Sequence, residues 1–219
     1  MGPYEETVHN YILANNISER AKHLDEITIF DVGYGLGIGL LCTLDFLSKL
    51  ESPPFLRYIS VEIDPELVKF SYKTIFKNSP YSQSLKDLKK RFIAKGKSFE
   101  IEILIGDARK SIKKLQTREN FNKFDVIYQD AFSPQRNPRL WSVEWFKDLK
   151  NLSKKSTTLS TYSSATPFRK SLLEAGWLFE NIDGFSTKKT MTKAFLKGEM
   201  DQALHTKTTS SPLCSMQDK

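Results

Sequence analysis

Residues 27 to 32 (Ile-Thr-Ile-Phe-Asp-Val) form an almost unbroken run of β-favouring residues. The run ends on an acid and passes directly into glycines at alternate positions, Gly33, Gly35 and Gly37. A short apolar run of this kind fits a strand covered on both faces, as in a parallel sheet. Helical spacing then takes over at 38–50, where Leu40, Leu41, Leu44, Leu47 and Leu50 fall on one side, until Ser52-Pro53-Pro54 stops it. The unit recurs. A strand at 57–63 meets Asp64-Pro65, which suits the start of a helix over 66–77. A lysine-rich stretch reads as helix over 84–94, and a strand at 99–105 is followed by a helix at 108–115. Strands at 124–129 and 157–162 precede helices at 142–152 and 166–175, the latter closed by Gly176. Short strands at 177–183 and 191–197 finish the pattern as an antiparallel edge. Strands alternating with helices predict an α/β fold: a mostly parallel seven-stranded sheet with helices on both faces, spanning residues 1–198. Residues 199–219 are polar and aperiodic and are expected to form a disordered tail.

Composition narrows the classes. Lys and Arg total 33 against 26 Asp and Glu, a formal charge of +7, which points to an anionic partner. No apolar run approaches the roughly 18 residues of a membrane span. The N-terminal Met-Gly-Pro-Tyr-Glu-Glu lacks the basic start and apolar stretch of a secretory signal, so a cytoplasmic protein is expected. Two cysteines, Cys42 and Cys214, and three scattered histidines, His9, His23 and His205, give no basis for a disulfide framework or a metal centre.

In open α/β sheets, ligands bind beyond the carboxyl ends of the strands, and four positions lie there. The first is Asp31-Val32-Gly33-Tyr34-Gly35-Leu36-Gly37. It fails the dinucleotide spacing Gly-x-Gly-x-x-Gly in either register. What remains, acidic-x-Gly-x-Gly-x-Gly, resembles the loop of S-adenosylmethionine (SAM) methyltransferases; a purely structural turn is the alternative. The second is Glu62, placed to accept hydrogen bonds from both hydroxyls of a ribose, or else a surface carboxylate beside Lys69. The third is Asp107 with Ala108: an acceptor for the exocyclic amine of adenine, an N-cap, or both. The order of glycine loop, Glu and Asp, each closing a strand, implies a Rossmann-like SAM-binding fold.

The fourth strand runs into Asp130-Ala131-Phe132-Ser133-Pro134-Gln135-Arg136-Asn137-Pro138-Arg139-Leu140-Trp141. A carboxylate here would orient an amine or accept its proton, and an aromatic ring would stack on a base. Asp130 and Phe132 supply both; a loop-initiating Asp and a core Phe are the alternative. This loop resembles the Asp-Gly-Phe-x-Pro-x-x-Asn-Pro-x-x-Trp signature of the methyltransferase domain of the MnmC family of tRNA-modification proteins. The resemblance extends through Thr158–Ala165, Arg169–Trp177 and Gly184–Met191, and back to Tyr4-Glu5-Glu6-Thr7 and Tyr11-Ile12-Leu13, about residues 5–198 in all. It implies SAM-dependent methylation of 5-aminomethyluridine at the tRNA wobble position to 5-methylaminomethyluridine, with Asp130 at the amine and Phe132 shaping the base pocket. It also implies cofactor contacts from Asp31, Gly33, Gly35, Gly37, Glu62, Asp107 and Ala108.

Three departures stand out: Ala131 for the usual Gly, Thr166-Pro167 after the Ser-Ala pair, and an upstream segment that is expected to be short. With no second domain and no dinucleotide fingerprint read in these residues, methylation without the family's oxidoreductase step is expected. Basic residues cluster at 86–97, at Lys113, Lys114 and Arg118, at Lys154 and Lys155, and at Lys188, Lys189 and Lys193. Arg136 and Arg139, inside the substrate loop, are expected to bind the anticodon arm of tRNA. The alternatives are a SAM-dependent methyltransferase of another RNA or a small-molecule amine, and a non-catalytic RNA-binding relative.

Overall fold

The computed structural model describes residues 2–187 and 189–218, so Lys188 lies outside the described residues. Among them, one sheet contains β1 (Glu26–Val32), β2 (Phe55–Glu62), β3 (Ile93–Lys95), β4 (Phe99–Ile105), β5 (Phe124–Gln129), β6 (Ser153–Thr161), β7 (Leu178–Asp183) and β8 (Thr190–Phe195). The spatial order is β3-β4-β2-β1-β5-β6-β8-β7. The five strands from β4 to β6 run parallel, while β3, β8 and β7 join by antiparallel pairing. The strand order thus reverses at β1, from which β2 and β4 are laid down on one side and β5 and β6 on the other, and a ligand crevice opens at such a switch point.

The helices are α1 (Pro3–Thr7), continued by a π-helical turn (Val8–Leu13); α2 (Ile17–Ala21); α3 (Ile38–Leu47); α4 (Pro65–Ser71), continued by a second π-helical turn (Tyr72–Phe76); α5 (Ser82–Leu85); α6 (Leu88–Arg91); α7 (Ala108–Gln116); α8 (Val143–Asn151); α9 (Thr166–Glu174); and α10 (Gln202–Thr209). Period-two alternation splits the apolar β1 between two cores. Ile27 and Ile29 pack with Leu40, Leu44 and Leu47 of α3, while Phe30 and Val32 pack with Ile112 of α7 and Trp145, Phe146 and Leu149 of α8. Helices therefore cover both faces, as the alternating pattern requires.

Two features differ from the expectations. The eighth strand, β3, falls where a helix over 84–94 was expected. Phe92 adopts a left-handed conformation (φ 59°), which ends α6, and Ile93–Lys95 then pair with Ile101 and its neighbours in β4. Residues 199–219 were expected to be a disordered tail, yet 202–209 are helical and 210–218 are tied down. Lys170 donates from Nζ to the carbonyls of Thr209 (3.2 Å) and Ser211 (2.6 Å), and the Val143 amide donates to the carbonyl of Met216 (2.9 Å). Met200, Leu204 and Met216 supply the apolar contacts, too sparse to read as a period but enough to pack against the α8–α9 core.

The N-terminal segment is likewise built in. Buried Asn15 donates to Ser160 Oγ (2.7 Å) and accepts from Thr158 Oγ1 (2.7 Å), fastening the chain after the first π-helical turn to β6. No helix among the described residues is long and apolar enough to cross a membrane.

Candidate active site

The carboxyl ends of β1, β2, β4 and β5 open on a cavity of about 540 Å³. Its floor is backbone. A Cβ placed on Gly35 (φ 54°) or Gly106 (φ 119°) would meet nothing within 4 Å, so both glycines face open space in conformations that L side chains rarely adopt. At one end, buried Glu62 accepts from the Gly35 amide at Oε2 (2.9 Å) and from the Asp64 amide at Oε1 (3.0 Å). Each oxygen spends one lone pair on backbone and keeps another for a ligand. Asp107 caps α7, and both of its cap bonds, to the amides of Arg109 (2.8 Å) and Lys110 (3.2 Å), fall on Oδ1. Oδ2 takes no part in them, so the cap leaves that oxygen available to a ligand.

Across the cavity lies the loop that follows β5. Trp141 is fully buried, donates from Nε1 to the carbonyl of Phe132 (2.8 Å) and packs edge-on against Phe168. Tyr162 donates to the carbonyl of Ala131 (2.9 Å), and Gln129 donates to the carbonyl of Leu140 (2.8 Å). Both ends of the loop are therefore fixed by buried side chains. Between them the Phe132 ring is left 71% exposed at the cavity rim, beside Ile63 at 73%. Ala131 is not among the positive-φ residues, so the position tolerates a Cβ, and Pro167 sits in the first turn of α9 where its missing N–H costs nothing.

Asp130 is exposed on the cavity side, with one carboxylate oxygen turned to the protein and hydrogen-bonded by Tyr11. Burial pushes its carboxyl up to about 6, against the lowering effect of a hydrogen bond from the Tyr11 hydroxyl, and nearby Glu6 raises it further. Tyr11 arrives from the first π-helical turn, where it is buried against the Tyr128 ring (5.1 Å between centroids). The segment ahead of the glycine loop therefore contributes directly to the site.

Residues 71–197 match the model of a family described as S-adenosyl-L-methionine-dependent methyltransferase. The chain belongs to that family. Its solved relatives include MnmC2 from Aquifex aeolicus, which superposes with a TM-score of 0.80 at 30% identity, covering 100% of this chain and 70% of that one. Its curated relatives include the tRNA 5-methylaminomethyl-2-thiouridine biosynthesis bifunctional protein MnmC of Pseudomonas paraeruginosa (27% identical, 89% of this chain, 31% of that protein). The MnmC of Leptospira borgpetersenii is also 27% identical, over 98% of this chain and 34% of that protein. The chain spans about a third of the length of these curated relatives.

The methyltransferase fold brings together Gly33, Gly35, Glu62, Asp107, Ala108, Asp130, Phe132 and Arg139 around one cavity. The chemistry of this set fits SAM: an open glycine floor, a carboxylate for the ribose, and an acceptor at the end of β4 for the adenine amine. SAM has no phosphate, and no phosphate-binding lysine is needed.

Three expected residues lie elsewhere. Asp31 is buried behind the loop, accepting from Tyr58 (2.7 Å) and Ser60 (3.1 Å); it shares the parity of Ile27 and Ile29 and faces away from the cavity. Burial pushes its carboxyl up to about 8, opposed by the Tyr58 hydrogen bond and reinforced by the charge of Asp130. Gly37 caps α3 against Tyr34 and Phe76, and Arg136 is exposed outside the cavity lining. Sequence reasoning missed Asn137 and Arg109, which line the cavity, and Tyr11, which reaches it only through its hydrogen bond to Asp130; nothing local marks any of the three.

Proposed function

We propose that this chain methylates the primary amine of 5-aminomethyluridine at the wobble position of tRNA, giving 5-methylaminomethyluridine, and that it works on tRNA in the cytoplasm. The observation that carries this reading is the pairing of Asp130 with the exposed Phe132 ring on one pinned loop, facing the glycine floor. The names of the MnmC relatives, which specify tRNA 5-methylaminomethyl-2-thiouridine biosynthesis, support it.

When bound, the cofactor supplies an electrophilic methyl group. The chain supplies the rest. An amine attacks through its lone pair and so must shed a proton, for which ionised Asp130 is the acceptor at hand. The Phe132 ring offers a face to an unstacked base, and an anticodon loop presents such bases at modest cost. Arg139 at the rim adds a donor for the flanking phosphate.

Methyl transfer to tRNA and SAM binding by calorimetry, measured on wild-type protein and on Asp130→Asn, test this assignment. The variant is expected to keep SAM affinity and lose turnover by roughly 10²-fold or more. Equal loss of both would make Asp130 structural, and transfer to free amines but not to tRNA would make the substrate a small molecule.

A further inference from the structure

Between Lys73 and Lys97 the chain carries eight basic side chains against one acidic one, Asp87. That excess of seven equals the formal charge of the whole chain; outside this stretch, 25 cations are matched by 25 anions. The positive charge is therefore confined to one stretch of fold, running from the second π-helical turn through α5 and α6 to β3. The stretch is anchored from beneath by fully or nearly fully buried Phe76, Leu85, Leu88 and Ala94, so the charge stands on an ordered platform.

Lys73, Lys77, Lys86, Lys90 and Arg91 are exposed, and no ion pair among the described residues uses them. Lys95 of the stretch pairs with Glu100; elsewhere Lys113 is answered by Asp148, Arg118 by Glu102 and Lys154 by Asp125, while Lys114, Lys123 and Lys155 stand in no ion pair among the described residues but are scattered. The platform adjoins the active site. α6 packs on α4, and Leu67 in α4 lines the cavity. Lys73 lies six residues beyond Leu67 on the same helical run, roughly 9 Å along the axis at about 1.5 Å per residue.

We propose that residues 73–97 form a docking surface for the sugar-phosphate backbone of the RNA whose base enters the cavity; this rests on the reading of the substrate given above. Unpaired cations on a fixed scaffold bind phosphates without reading sequence, and their contribution fades with salt through counterion release. The surface holds the body of the RNA, while Phe132 and Asp130 act on one nucleotide.

The test compares wild-type protein, the combined Lys86→Gln, Lys90→Gln and Arg91→Gln variant, and a control with Lys114→Gln, Lys123→Gln and Lys155→Gln, which removes the same charge elsewhere. Fluorescence anisotropy of labelled tRNA across a salt series is read alongside SAM calorimetry. The first variant is expected to bind tRNA about tenfold more weakly, with its log–log salt slope reduced by about 2 to 3, and to bind SAM normally. The control is expected to stay near wild type. Equal weakening in both variants, or no weakening in the first, overturns the docking surface. Loss confined to binding of phosphatidylserine vesicles overturns it in favour of a membrane surface. Methylation by wild-type protein is scored separately: its absence, with charge-dependent tRNA binding intact, overturns the proposed reaction and leaves the surface standing.

Discussion

Two carboxyls, Asp130 in the cavity and Asp31 buried behind the glycine loop, are held away from their ordinary protonation range. Asp130, raised to about 6, is ionised at neutral pH and protonated below that value. Methyl transfer that needs it as an acceptor should fall off on the acid side near pH 6. The Tyr11 hydrogen bond stabilises the carboxylate, so Tyr11→Phe should move the acid limb upward in pH while leaving SAM affinity unchanged; a pH–rate profile checks this. Asp31 behaves differently. Its folded-state carboxyl, near 8, lies above its unfolded value, so its contribution to stability is present at low pH and is lost as pH rises towards 8. Asp31→Asn should flatten the decline in denaturation free energy between about pH 4 and pH 8. Glu62, Asp107 and Asp130 were legible in the sequence because each closes a strand, where local order predicts a ligand-facing position. Asp31 follows the parity of Ile27 and Ile29, and one residue of register decides which face of the sheet a side chain meets. Tyr11 was invisible as a partner of Asp130 because the two are 119 residues apart in sequence.

At the level of elements, the loop after β5 shows why an Asn-Pro-x-Leu-Trp run follows the working residues. Trp141 secures the Phe132 carbonyl from below and so frees the Phe132 ring above. Trp141→Phe keeps most of the apolar packing but removes the indole donor. It should cost about 1 kcal/mol, a fall in thermal midpoint of roughly 2–4 °C, and should lower turnover more than SAM affinity. Thermal unfolding and single-turnover rates measure the two effects. Strong periodic elements, β1 through α3 and β5 through α9, follow the sequence pattern closely. The lysine-rich stretch does not, because its polar residues carry no period and the turn at Phe92 depends on a backbone conformation that phenylalanine seldom adopts.

Across the whole molecule, the ends of the chain are parts of the fold. The C-terminal stretch reaches the cavity wall, where Asp218 pairs with Arg109 and accepts from Ser142 (2.7 Å). Removal of residues 202–218 should lower the thermal midpoint by roughly 5–10 °C, as apolar cover and a partly buried ion pair are lost together. The charge of the molecule is likewise organised, with its whole positive excess on one platform beside the site. The central claim is that this cavity methylates a wobble-uridine amine, and nucleoside mass spectrometry tests it most directly. Transfer RNA carrying 5-aminomethyluridine is incubated with the protein and SAM and digested to nucleosides. The account predicts that the aminomethyl nucleoside disappears and is replaced by one heavier by a single methylene at the wobble position. Unchanged wobble uridine, in a protein shown to bind SAM, would contradict it.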